Sequence, residues 1–101
     1  MTRYKIVYSQ EAFGDLSVIY HYIALQSLDL KIAGRFIKTL KNAIESLRVF
    51  PSRHQRIGLS FRGATDVRQF VTNNYLILYS INEAAKTVAI IGIISCKQEI
   101  N

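Results

Sequence analysis

Arg68-Gln69-Phe70-Val71-Thr72-Asn73-Asn74-Tyr75-Leu76-Ile77-Leu78-Tyr79-Ser80-Ile81 is the stretch that decides the fold. It reads as two strands joined at Asn73-Asn74. In the second strand, Tyr75, Ile77, Tyr79 and Ile81 face one way and Leu76, Leu78 and Ser80 the other. Both faces are largely apolar, which predicts an interior strand covered on both sides. Such a strand needs a cover, and the first half of the chain supplies two helices. Arg68 stands where the sheet begins.

Downstream, Asn82-Glu83-Ala84-Ala85 makes a turn and Lys86 to Ser95 a last strand. That strand is apolar on both faces, so it too is expected to be central. Gly92 within it points to a bend or a close backbone approach. Cys96 to Asn101 reads as a short polar tail. Upstream, Ser52 to Ala64 is a basic loop holding Arg53, His54, Arg56 and Arg62. Its length raises the prospect of function or mobility.

Helix two is predicted from Leu30 to Arg48, with Ala33, Phe36, Leu40, Ile44 and Leu47 as its buried stripe. Gly34 inside it costs about 1 kcal/mol relative to alanine, and close packing against the neighbouring helix would account for that. Pro51 stops the helix, and Phe50 before it is expected to be extended. Helix one is predicted from Gln10 to Leu25, with Ser9 as N-cap and Ala12, Leu16, Ile19 and Ile23 as its stripe. Phe13 and Tyr20 widen that stripe. Ser27 or Asp29 can cap the second helix, and so short a link makes the two helices antiparallel neighbours. Arg3 to Tyr8 is a first strand. The order β-α-α-β-β-β predicts an α+β two-layer fold, an antiparallel helical hairpin packed on a mainly antiparallel four-stranded sheet.

Residues 1–101 suffice for one domain with its own core. The single cysteine, Cys96, permits no internal disulfide and fits a reducing cytoplasm. No apolar run approaches the roughly 18 residues of a membrane span. Charge is uneven: between Lys31 and Arg62 eight basic residues face one acid, Glu45, within a net charge of +6. That asymmetry suits an acidic partner, nucleic acid or protein.

Little in the chain supports catalysis. His21, His54 and Cys96 are too scattered for a metal site, and no cofactor motif is present. Metal-free RNA cleavage needs a base, an acid and a charge stabiliser. Arg68 suits the last role, while Tyr75 and Lys97 are only weak choices for the others.

Taken together, the chain resembles toxins of the RelE/ParE superfamily of bacterial type II toxin-antitoxin systems. The residues that carry the resemblance run from Tyr4-Lys5-Ile6-Val7-Tyr8-Ser9 through Ala12, Asp15-Leu16, Ile19 and Tyr22-Ile23. They continue through Ala33, Phe36, Leu40, Ile44, Leu47 and Pro51 to Arg68, Asn74-Tyr75-Leu76-Ile77-Leu78-Tyr79 and Val88 to Ile94. RelE-like members cut messenger RNA on the ribosome; ParE-like members are understood to poison DNA gyrase and arrest growth. The cutting branch carries an arginine just after the hairpin aromatic and a histidine or tyrosine after the last strand. Here those places hold Leu76 and Ser95-Cys96-Lys97-Gln98. The resemblance therefore implies a ParE-like gyrase inhibitor without catalysis. A ribosome-dependent endoribonuclease and a non-toxic antitoxin-binding relative remain the alternatives. It also implies a small acidic antitoxin whose C-terminal segment folds onto the toxin, with operator DNA bound only through that antitoxin and no membrane partner. On this reading Arg53, Arg56, Arg62, Arg68 and Lys97 meet the target. Leu16, Tyr20, Ile23, Phe36 and Leu40 meet the antitoxin.

Overall fold

The computed structural model describes residues 2–97. Gln98 and the rest of the expected tail lie outside the described residues. The elements run β1 (Lys5–Tyr8), α1 (Gln10–Ser27), α2 (Leu30–Glu45), β2 (Arg68–Thr72), β3 (Tyr75–Asn82) and β4 (Thr87–Ser95). Two helices pack on one face of a four-stranded sheet ordered β1-β4-β3-β2. β1 runs parallel to β4, and the remaining pairs are antiparallel. As the alternation of Tyr75 to Ile81 requires, β3 and β4 occupy the middle.

Asn73 and Asn74 both have positive φ, 52° and 66°, so β2 and β3 join through a two-residue turn. That backbone matches the right-handed twist of the strands, and asparagine tolerates it better than most residues. Beyond the turn, Phe70 pairs with Ile77 and Arg68 with Tyr79 on the helix side. Ile77, Tyr79, Val88 and Ile90 are fully buried there against Ala12, Leu16, Ile19, Leu40, Ile44 and Leu47. Tyr79 donates its hydroxyl to the Pro51 carbonyl. Burial pushes that phenol up to about 12, so it stays a neutral donor.

Both helices start on a side-chain cap. Ser9 accepts from the Ala12 N–H and Asp29 from the Lys31 N–H. α1 ends at Leu28, which takes a left-handed backbone and returns its N–H to Ala24.

Three local expectations are corrected. α2 gives way after Glu45 to a 3-10 turn over Ser46–Arg48 instead of continuing as α-helix. Phe50 is not extended; its φ is 50° and ψ 54°. A left-handed residue costs roughly 1–2 kcal/mol, and the Arg53 guanidinium offsets it by binding the carbonyls of Val49 and Phe50. Gly34 does not pack against α1. It is exposed, and a Cβ there would meet nothing within 4 Å.

The segment between Arg53 and Val67 is a strap across the sheet's other face. Ile57 and Gln69 donate backbone N–H groups to Val67 and Gln55, so the strap first pairs along the outer edge of β2. Phe61 and Ala64 then exchange backbone hydrogen bonds around Arg62-Gly63, both with positive φ. This tight turn lays Phe61 on Gly92, where a Cβ would stand 2.8 Å from the ring. The close approach expected at Gly92 is therefore made by the strap. A register shift lies beside it, because Leu78 pairs with Gly92 and Tyr79 with Ile90.

Candidate functional site

A cleft opens between α1 and the free part of β4. Its volume is about 730 Å³, and Val18, Tyr22, Tyr75, Ile94 and Lys97 are among its walls. β1 covers β4 only from Thr87 to Ile90. Beyond that point this edge of β4 has no strand beside it among the described residues.

Asp15 of α1 reaches that bare edge. Its Oδ2 accepts the Ile93 N–H at 2.9 Å and the Arg62 guanidinium at 2.9 Å. Arg62 also donates to Oδ1 of Asp15 and to the Ile91 carbonyl. The Asp15 hydrogen bond raises the Arg62 guanidinium above its ordinary value. One carboxylate thus ties helix, strand edge and strap together at the rim of the cleft.

The residues proposed for catalysis do not converge. Arg68 lies on β2 opposite Tyr79, while Tyr75 sits at the turn end of the hairpin. At roughly 3.3 Å per residue they stand about 13 Å apart along the strands. Arg68 gives its Nη1 to the carbonyls of Ser52 and His54 and so fastens the start of the strap. Tyr75 packs edge-on against Phe36. Burial, with Tyr22 second, raises its phenol, which disfavours the phenolate a base would need. Lys97 borders the same cleft as Tyr75, beside Arg62.

The other two arginines expected to meet a target, Arg53 and Arg56, are similarly engaged. Arg53 binds Ser46 as well as Val49 and Phe50, placing its charge where the α2 dipole is negative. Arg56 pairs with Asp66 at 2.8 Å on the surface. Of the five cations expected to meet a target, only Arg62 and Lys97 share the cleft.

Two of the five residues assigned to the antitoxin are spent on the core. Leu16 is 5% exposed and Leu40 fully buried, because the same helical stripe that suggested them is the one that faces the sheet. Tyr20, Ile23 and Phe36 are half-buried. Apolar surface remains open in a second stripe on α1, Val18, Tyr22 and Leu25, continued by Leu28 and Leu30 at the hairpin tip. Its i, i+4, i+7 spacing is legible in the sequence.

Leu76 lies on the strap side of the sheet, paired with Val71 and Ile94. No grouping of three or more His, Cys, Asp or Glu suited to a metal occurs among the described residues. No described helix is long and apolar enough to cross a membrane.

A family described as the ParE toxin of the type II toxin-antitoxin system parDE matches residues 6–100. The chain belongs to the ParE toxin family. Among solved structures, it is similar to the chromosomal ParDE system of P. aeruginosa, at 13% identity and TM-score 0.75, covering 94% of this chain and 98% of the other. The RelBE2 toxin-antitoxin complex of Mycobacterium tuberculosis shares 20% identity with TM-score 0.60, over 93% and 99% of the two chains. A free E. coli RelE mutant matches with TM-score 0.56 at 13% identity, over 95% and 86%. Comparison with curated proteins gives no match. At these identities the structural matches speak for the fold alone, and that fold is the two-layer one of RelE and ParE toxins. This ParE-family chain is thus a toxin of the type II class. Its cleft beside β4 and the stripe on α1 are the surfaces to be explained.

Proposed function

We propose that this toxin works by binding, with DNA gyrase as its target, and that a cognate antitoxin holds it inactive in the cytoplasm. The observation that carries this reading is the setting of Leu76. Where a cutting relative would place an arginine, Leu76 joins Val71 and Ile94 in an apolar pad. Such a pad offers nothing to a phosphorane's charge. Gyrase as the target is what membership of the ParE branch implies.

The antitoxin's C-terminal segment fits the bare surfaces. An amphipathic helix would lay its apolar side on Val18, Tyr22 and Leu25, reaching the half-buried Tyr20, Ile23 and Phe36. An extended stretch would pair along β4 at Ser95, beyond the Ile93 N–H that Asp15 holds. The charge of +6 speeds capture of an acidic chain. Operator DNA would be bound through the antitoxin.

The test is induction of the Tyr75→Phe variant in cells. Antitoxin-reversible growth arrest equal to that of the parent supports binding-type toxicity. Loss of arrest, together with loss of codon-phased cuts in messenger RNA, overturns it in favour of the ribonuclease.

A further inference from the structure

The outer face of α2 is unlike any other surface of the molecule. Lys31, Arg35, Lys38 and Lys41 all point away from the core and are exposed. Three of their neighbouring pairs, at i, i+4 or i, i+3, are like-charged, and each such pair weakens a helix. None of the four makes a salt bridge among the described residues. The nearby acids are occupied: Asp29 caps the Lys31 N–H, and Glu45 holds Arg48. Lys31 also stands in the first turn, which contains no acid. Its charge therefore adds to the positive end of the helix dipole instead of opposing it.

Gly34 lies on the side of this face shared by Lys31, Lys38 and Lys41, three residues after the first and four and seven before the others. It is exposed, its φ is not positive, and a side chain there would meet nothing. Neither turn geometry nor internal packing accounts for a glycine in mid-helix. An opening beside three of the cations is its visible consequence.

We propose that this face is a contact surface for the phosphodiester backbone of a duplex nucleic acid, which approaches closest over Gly34. From Lys31 to Lys41 the cations span about 15 Å, the axial length of four to five phosphates on one duplex strand. No aromatic side chain lies among them, so the contact tracks the backbone and does not stack on bases. A folding peptide needs apolar anchors, and along the cationic stretch from Lys31 to Lys41 Ile32 is the one exposed large hydrophobic, at the margin of the arc. This contact is made by the toxin itself, is separate from binding through an antitoxin, and does not depend on which target the toxin poisons.

The test is fluorescence anisotropy of the full chain with a labelled 20-base-pair DNA duplex and with its RNA counterpart, across a salt series. Binding is expected with a log–log salt slope of about −4, near −0.9 per phosphate. The Lys31→Gln, Lys38→Gln double variant should lower that slope by about 2, while Lys5→Gln on β1 leaves it unchanged. Gly34→Gln should weaken binding severalfold without lowering the melting temperature, and Gly14→Gln on the exposed side of α1 should not weaken it. Either duplex supports the proposal, and the tighter one identifies the source of the phosphates. Absence of binding at low salt, or equal slope changes from Lys5→Gln and the double variant, overturns it. So does displacement of the duplex by a polyglutamate peptide at equal charge concentration, which would make this an acidic-protein surface.

Discussion

Replacing Asp15 should loosen three parts of the molecule at once. Its carboxylate accepts the Ile93 N–H and pairs with Arg62. The first bond joins a charged acceptor to a part-buried backbone donor and is worth about 2 kcal/mol, since alanine would leave that donor without its partner. The second joins side chains 31% and 20% exposed, so solvent screens it partly and it adds about 1 kcal/mol. Asp15→Ala should therefore cost about 3 kcal/mol, or roughly 12–24 °C in melting temperature for a domain of this size. Asp15→Asn keeps an acceptor for Ile93 and loses only the ion pair, so it should cost about 1 kcal/mol. Thermal and urea unfolding of both variants, with Arg62→Met and the Asp15→Asn, Arg62→Met double variant completing a cycle, would measure each part. Equal losses in Asp15→Ala and Asp15→Asn would refute the role given to the Ile93 bond. A coupling near zero would refute the role of the ion pair.

Other outcomes follow from the same contacts. Tyr79→Phe should cost about 1–2 kcal/mol by urea unfolding, because the Pro51 carbonyl loses its donor in the core. Gly92→Ala should cost about 1–3 kcal/mol through overpacking against Phe61, and Phe61→Leu should recover part of it. His54 is held below its ordinary value of 6.5, first by burial and then by Arg53, and its Nε2 is buried with no hydrogen-bond partner among the described residues. The unfolded chain then binds the proton more readily, so stability is full above pH 6.5 and falls as pH drops toward the folded value. Unfolding midpoints between pH 8 and pH 5 should show that loss, and His54→Gln should reduce it.

The fold was largely legible because its signals are local. Alternation from Tyr75 to Ile81 set the central strand, the Ala12-Leu16-Ile19 and Ala33-Leu40-Ile44 spacings set the helices, and Gly92 marked the close approach. What escaped was decided by contacts distant in sequence. Nothing near Arg53 announces that it will hold Phe50 in a left-handed turn. Nothing near Asp15 announces a bond to Ile93, 78 residues away. Leu16 and Leu40 were assigned to a partner because periodicity identifies an apolar stripe without saying what it faces. The stripe left open on α1, Val18, Tyr22 and Leu25, has the same kind of spacing, and only the packed structure separates the two.

The central claim, a toxin that acts by binding gyrase, is tested most directly by a supercoiling assay with purified protein. The expected result is dose-dependent inhibition of gyrase supercoiling with accumulation of cleaved DNA, retained in the Tyr75→Phe variant. Undisturbed supercoiling at concentrations that arrest growth, alongside codon-phased cuts in messenger RNA, would contradict it.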